Sequence, residues 1–383
     1  MNCTRTPMQP PPIVTTSAEL LHALEQLRAA EFVALDTEFM RESTYFPKLC
    51  LVQMATPGPD GTTRCALVDP LAVPDLQPLW DFLNDRARIK VVHAARQDLE
   101  VLAVAMRDSL QGPIFDTQIA AALLGLPAQI GYGALVAARL EHQLEKGHTR
   151  TDWSRRPLSP EQLQYAEDDV RYLVPLYQNL RDALQEAGRI PWLYEETREL
   201  ESPALHRTEP EAAWKRLKGL DRLRPEQRAT AKLLAHWREE TAIKHDKPRG
   251  WILADDALRE IAERLPGKAA DLEGIRTLPA GVARRRGEEL LALVTRGREL
   301  AQSEPAAFIP PKPEAQQLAL VTKLMNLART TAEELKVSPE ILATRRDVEQ
   351  LVFSRRTDRL STGWRKEVIG DRLIEVASAT ART

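Results

Sequence analysis

Cysteine is scarce in this chain: three in 383 residues, at Cys3, Cys50 and Cys65. The number is odd and no pair has the spacing of metal ligands, which argues against a disulfide framework and fits a reducing, intracellular compartment. Long apolar runs are also missing. The most apolar stretch, Ile119 to Leu140, is interrupted by Pro127, Gln129 and glycines, so it does not read as a membrane span. The first dozen residues are proline-rich and carry no apolar segment of the kind a secretory signal needs. These absences lead to the expectation of a soluble, cytoplasmic protein. What is present is ordinary for a globular chain, with 43% hydrophobic and 28% charged residues, and the length favours two or three domains over one.

The net charge of −2 conceals an asymmetry. Residues 1–205 hold 19 Lys+Arg against 28 Asp+Glu, whereas residues 206–383 hold 34 against 27. The first part is therefore acidic by 9 and the second basic by 7. A basic half attracts a polyanion, whereas an acidic half repels one unless some of its carboxylates are neutralised by metal. Solvated helix faces also produce asymmetries of this size.

Along the chain, Thr16 to Glu19 has the form of a capping box opening a helix over about 17–30. Three strand-like runs follow, Phe32–Phe39, Leu49–Ala55 and Cys65–Asp69, separated by turn-forming residues that predict an antiparallel meander. The pattern then changes to strand–helix alternation: a helix near 75–84, a strand over Ile89–Val92, a helix over 94–106, and a short strand at Ile114–Phe115 with Asp116 capping the next helix. A mixed sheet flanked by helices is expected. Ser159, Pro160 and Gln162 supply the start of a helix over 159–187, which Pro175 should kink or divide. Past residue 200 the patterns are helical, with a cluster from Trp214 to about Arg298, a proline-rich linker over 303–313, and a second cluster from Glu314 onward.

Three features carry chemistry. In Val33–Phe39 (VALDTEF) the acids Asp36 and Glu38 lie two apart, on one face of a strand and roughly 6–7 Å apart along it. Two such carboxylates repel unless a cation compensates, and hard oxygen ligands suit Mg²⁺ or Mn²⁺; a strand end facing water is the alternative. Asp98 lies in the first turns of the helix after Ile89–Val92, where ligands bind in α/β sheets and where an acid also stabilises the helix dipole. Tyr165 and Asp169 are four apart on a helix and share a face, with Asp168 rotated away. Taken singly, Asp98 and the Tyr165–Asp169 pair are explained as ordinary helix acids.

The order of the three changes that reading. A strand pair of acids, an acid opening a later helix and a Tyr-x-x-x-Asp on the last helix resemble the three exonuclease motifs of the DEDD superfamily, tyrosine subclass. The surrounding runs Leu49–Gln53 (LCLVQ), Phe115–Thr117 (FDT) and 146–158 (KGHTRTDWSRRPL) resemble ribonuclease D in particular. Residues 210–290, with Pro225–Gln227 and Arg249–Leu253 (RGWIL), are similar to an HRDC domain, and the last 70 or so residues resemble a second, divergent one. The resemblance implies a ribonuclease H-like α/β catalytic domain over 1–205, an all-α HRDC domain over 210–298 and an HRDC-like helical domain over 303–383. It further implies a 3′→5′ exoribonuclease whose Asp36, Glu38, Asp98 and Asp169 bind two divalent ions, Mg²⁺ or Mn²⁺, with Tyr165 positioning the attacking water. The substrates implied are RNA 3′ ends, including tRNA precursors, with nucleoside 5′-monophosphates released one at a time.

Tyr165, with an ordinary pKa near 10, is a poor general base at neutral pH, so metal activation of water should carry the deprotonation. Lys244, Lys247 and Arg249, the run Arg284, Arg285 and Arg286, and the pairs Arg345–Arg346 and Arg355–Arg356 are candidates for phosphate contacts, each equally readable as a solvated face. His93, His236, His245, Trp153, Trp192 and the cysteines read as structural, and Asp116 as a helix cap. A DNA exonuclease with the same acids and a binding protein with a vestigial metal site are the competing readings. The oligomeric state is open, with a monomer as the default.

Overall fold

The structure is a computed structural model describing residues 12–144, 151–202, 209–304, 314–354, 357 and 359–380. The proline-rich start up to residue 11, residues 146–150 of the 146–158 run, residues 305–313 of the linker and the pair Arg355–Arg356 lie outside the described residues. By internal contacts the chain divides into two compact units. The first comprises Met1–Met40, Leu49–His206 and Pro313–Thr383, and the second Arg41–Lys48 and Arg207–Lys312.

The first unit is built on a six-stranded mixed sheet in the order β1-β4-β3-β2-β5-β6. The strands are β1 (Ile13–Val14), β2 (Phe32–Met40), β3 (Lys48–Pro57), β4 (Thr63–Val68), β5 (Ile89–Val92) and β6 (Ile114–Asp116). β3 and β4 pair antiparallel, while β2, β5 and β6 run parallel. The helices are α1 (Ser17–Leu27), α2 (Gln77–Leu83), α3 (Arg96–Met106), α4 (Thr117–Leu123), α5 (Tyr132–Leu140), α6 (Pro160–Arg171), α7 (Leu173–Glu186) and α8 (Ile190–Thr197). Side chains alternate along β2. Val33 and Leu35 bury against α1, α2 and α3, while Ala34 joins the cluster that holds Leu123, Val170 and Tyr177 from the opposite helices. Asp36 and Glu38 continue the Ala34 face.

Local signals set the helix ends. The Thr16–Glu19 capping box opens α1, and Ser159 with Gln162 opens α6 behind Pro160. The expected break near Pro175 falls at Tyr172, which ends α6 and begins α7. Pro175 is then the third residue of α7, where its missing N–H leaves no intrahelical bond unmade.

The C-terminal helices α14 (Ala315–Leu335), α15 (Pro339–Leu342), α16 (Arg345–Ser354), α17 (Gly363–Arg365) and α18 (Asp371–Thr380) share the core of this first unit. Val321, Leu324, Ala328 and Ala332 bury in the same cluster as Ala120, Leu123, Tyr177 and Leu180. The approach is close. Gly125, at φ +87°, could not carry a Cβ, which would lie 2.9 Å from the Lys336 carbonyl oxygen. Trp192 of α8 stacks on Trp364 with ring centroids 4.4 Å apart. Glu196 accepts from Trp364 Nε1 at 2.8 Å, from Arg359 at 3.1 Å and from the Arg365 guanidinium.

The second unit is helical, with α9 (Pro225–His245), α10 (Arg249–Ile252), α11 (Asp255–Arg264), α12 (Ala269–Glu273) and α13 (Ala280–Ser303) around Leu234, Leu258, Ile261, Leu290 and Val294. The segment Arg41–Lys48, which follows β2 in sequence, belongs here. The Tyr45 hydroxyl donates to Glu239, and the amides of Tyr45 and Phe46 donate to Asp246 Oδ1 at 2.9 and 3.0 Å.

Candidate active site

The register of the parallel strands decides where the acids fall. Ala34 of β2 is opposite Val91 of β5, so Asp36 lies just past the end of β5, where the chain turns into α3. In an open α/β sheet this carboxyl end of the strands is where ligands bind. α6 crosses the same face and delivers Asp169. Carboxylate oxygens of Asp36, Glu38 and Asp169 all lie within 4.8 Å of one another. That span suits a divalent ion with oxygen ligands at about 2.0–2.6 Å.

Asp98 is not one of those three. It opens α3, and its Oδ1 accepts a 2.6 Å hydrogen bond from the hydroxyl of Thr37, the residue between the two strand acids. Its charge still acts on Asp36, Glu38 and Asp169. The four acids predicted from the sequence thus fall in one electrostatic neighbourhood, with Asp98 attached through Thr37.

Burial shifts all four upward, and nearby negative charges add to it. Desolvation, then the charges of Asp98, Asp169 and Glu38, hold the Asp36 carboxyl well above the usual range. Burial followed by Asp169 and Asp98 pushes Glu38 up to about 9. Burial raises Asp169 to about 7 against the opposing hydrogen bond from Tyr165, and raises Asp98 to about 6 against that from Thr37. Without a cation, such a group keeps protons at neutral pH; a divalent ion replaces those protons and removes the repulsion. The donor set, all carboxylate oxygen, fits a hard divalent metal.

Tyr165, one turn before Asp169, is hydrogen-bonded to it, and burial with the charges of Asp169, Glu38 and Asp36 raises its phenol pKa. It is therefore a hydrogen-bond donor at neutral pH and not a base. Trp153, buried, packs 6.1 Å from the Tyr165 ring between centroids, in keeping with its reading as a packing residue. Its loop is pinned by Arg156, whose guanidinium donates to Asp69 Oδ1 at 2.7 Å, to the Cys50 carbonyl at 2.7 Å and to the Trp153 carbonyl at 2.8 Å.

Supporting residues brace the acids, and of these Tyr132 carried no role in the sequence reading. Asp116 caps α4 as expected, through the amide of Gln118 at 2.8 Å, and also accepts from the amides of Ala94 and Ala95 at 3.1 Å each. It thereby fixes the turn that aims Asp98. Tyr132 donates to the carbonyl of Asp168 at 2.9 Å and so braces α6 beside Asp169. His93 bridges Thr117 and the Ile130 carbonyl, a structural role. A place between a short strand and the next helix marks Asp116 in the sequence; nothing local marks Tyr132.

Among the basic candidates, Lys244, Lys247, Arg284 and Arg285 are exposed. Arg249 reaches Glu239 at 3.5 Å, and Arg286 pairs with Glu289 at 3.2 Å. Arg345 is held by Glu349 at 2.7 Å. Cys50 is buried and Cys65 half-buried, neither in a disulfide, and burial pushes the Cys65 thiol up to about 12. Among the described residues no helix is long and apolar enough to cross a membrane.

Comparison with known proteins shows the family. A 3′-5′ exonuclease family model matches residues 11–185 and an HRDC domain model matches residues 227–294. Ribonuclease D of Granulibacter bethesdensis is 38% identical over 372 residues, covering 94% of this chain and 91% of that protein. Ribonuclease D of Pseudomonas paraeruginosa is 36% identical, covering 94% and 96%. The crystal structure of Escherichia coli RNase D, an exoribonuclease involved in structured RNA processing, superposes with a TM-score of 0.82 at 31% identity, over 96% of this chain and 98% of that one. The chain belongs to the ribonuclease D family of metal-dependent 3′→5′ exonucleases, with an α/β catalytic region and an HRDC domain.

Proposed function

We propose that the chain removes nucleoside 5′-monophosphates one at a time from RNA 3′ ends, with tRNA precursors and other structured RNAs carrying 3′ extensions as substrates. The observation that carries this reading is the group of three carboxylates, Asp36, Glu38 and Asp169, whose oxygens converge within 4.8 Å beside a protonated tyrosine. Asp36, Glu38, Asp98 and Asp169 would hold two divalent ions, Mg²⁺ or Mn²⁺. When bound, such ions lower the pKa of the attacking water and stabilise charge on the leaving 3′ oxygen. Tyr165 orients the water through its hydroxyl, and Thr37 holds Asp98 in place. The ions also offset the negative charge of the acidic half, so that a phosphate can approach. The domain layout in this reading is catalytic residues 1–205, an HRDC domain over 210–298 and an HRDC-like region over 303–383, in a cytoplasmic monomer. Lys244, Lys247, Arg249, Arg284, Arg285 and Arg286 contribute sequence-independent phosphate affinity.

The test compares wild type and Asp36→Ala on 5′-labelled RNA and DNA oligonucleotides with Mg²⁺ or Mn²⁺. A ladder shortening from the 3′ end of RNA, abolished by EDTA and by the substitution, is expected. Equal or faster shortening of DNA moves the reading to a DNA exonuclease, and binding without cleavage under either metal leaves a binding protein.

A further inference from the structure

We propose that Phe46 and Trp251, flanked by Lys244 and Lys247, form a stacking site for unpaired bases of an RNA substrate on the helical unit. The site rests on RNA being the substrate but is separate from the carboxylates that cleave it.

The anomaly is exposure. Trp251 is 63% exposed and Phe46 39%, and they are the aromatic members of the small set of exposed large hydrophobic side chains among the described residues. A lone exposed leucine needs no explanation, but rigidly presented aromatic faces beside uncompensated cations fit the way single strands are bound. Each is tied to the C-terminal end of α9, Phe46 through its backbone amide and Trp251 through Lys247. The Phe46 amide donates to Asp246, and its ring lies edge-on to Tyr45 at 5.1 Å, whose hydroxyl is fixed by Glu239. Trp251 lies in α10, where Leu253 turns into the core, leaving the indole outside with the Lys247 ammonium 5.9 Å from its centroid. Asp246 and Lys247 are consecutive, so one turn of chain anchors both aromatics.

The local charge selects the ligand. Glu239, buried, is taken up by Arg216 at 3.0 Å, Arg249 at 3.5 Å and Tyr45. Asp246 accepts from two backbone amides. Lys244 and Lys247 are exposed and have no carboxylate partner among the described residues. A surface whose acids are engaged by internal partners, with the Lys247 ammonium over the indole and exposed Lys244 three residues before it, matches a polyanion carrying stackable bases. An apolar protein partner would bury these lysines without compensating them.

The experiment measures anisotropy of a 5′-labelled oligoadenylate of about a dozen nucleotides, the site size of a single-strand binder, with the full chain in EDTA. Trp251→Ala and Phe46→Ala are each expected to weaken binding about fivefold or more, leaving the slope of log Kd against log salt unchanged. Trp251→Phe should retain most of the affinity. Lys244→Gln with Lys247→Gln should instead flatten the slope by roughly 0.7 per lysine. Unchanged affinity in both alanine variants overturns the site. So does a Trp251→Ala variant that alters sedimentation of the chain but not RNA binding, since the patch would then be a contact between protein copies. Wild type that binds RNA through these residues but never shortens it would overturn the exonuclease reading while leaving this site standing.

Discussion

The hydroxyl of Thr37 donates to Asp98 Oδ1 at 2.6 Å, tying the acid that opens α3 to the strand that carries Asp36 and Glu38. Thr37 is buried at 5% exposure, and its side chain points away from those of its two neighbours. One strand therefore presents two acids directly and fixes a third through its intervening residue. Removing the hydroxyl leaves a buried carboxylate without its donor and free to rotate. Thr37→Val should raise the Mn²⁺ or Mg²⁺ concentration needed for half-maximal activity about tenfold, the usual scale for a residue that orients a metal ligand, and Thr37→Ser should restore it. A Thr37→Val enzyme with wild-type metal dependence would show that Asp98 is positioned without the hydroxyl.

The raised carboxyl pKa values make a prediction about the metal-free protein. Asp98 near 6, Asp169 near 7 and Glu38 near 9 all stand above the range near 4 that they have in the unfolded chain. The folded state then binds more protons than the unfolded one, so its stability is fully present below pH 4 and is lost as pH rises through the folded values. In EDTA the melting temperature should fall between pH 5 and pH 9, and Mg²⁺ should restore it most at the alkaline end. Asp36→Asn should raise the melting temperature in EDTA at pH 8 while abolishing cleavage. A melting curve indifferent to pH and metal over that range would falsify the electrostatic account of the site.

Chemistry and periodicity made the acids candidates, and their order along the chain, through its resemblance to the DEDD exonucleases, made them a site. Asp36 and Glu38 break an apolar strand at one parity, and Tyr165 and Asp169 share a helical face. Capping residues gave away α1 and α6 for the same local reason. Long-range hydrogen bonds left no such mark. Tyr45 meets Glu239 across almost two hundred residues of sequence, and nothing within 41–48 shows that this segment packs with the helical unit. Nor does the composition of α14 reveal that Val321 and Leu324 bury against α4 and α7; an amphipathic stripe shows that a face is buried, not what covers it.

Asp116 should be sensitive for its position more than its charge. It accepts from the amides of Ala94, Ala95 and Gln118, and Ala94 holds a positive φ of 54° in the turn it stabilises. Asp116→Ala leaves these donors unmatched in a buried site, a loss of about 2–4 kcal/mol at ordinary costs for unsatisfied buried groups. Asp116→Asn keeps an acceptor oxygen and should recover part of that. Thermal or urea unfolding measures both. Equal stability of Asp116→Ala and wild type would mean that water or a shifted turn takes over the amides.

The last helices should be inseparable from the catalytic unit. Burial alone would raise the Glu196 carboxyl, but hydrogen bonds and charge from Arg365, with Trp364 and Arg359, outweigh it and lower its pKa. The clamp sits beside a core in which Val321, Leu324, Leu342 and Trp364 are almost fully buried. Each such side chain contributes roughly 1.5–3 kcal/mol of transfer free energy, so deleting residues 314–383 removes more than a typical domain's net stability of about 5–15 kcal/mol. A chain ending at residue 313 should therefore lose the cooperative unfolding of its exonuclease region and aggregate, although Asp36, Glu38, Asp98, Tyr165 and Asp169 are all retained. Glu196→Ala in the full chain should give a milder form of the same defect, lowering the melting temperature without changing the metal concentration for half-maximal activity. A truncated chain that stays monomeric and cleaves RNA at the wild-type rate would show that the core of α4 and α7 closes on its own.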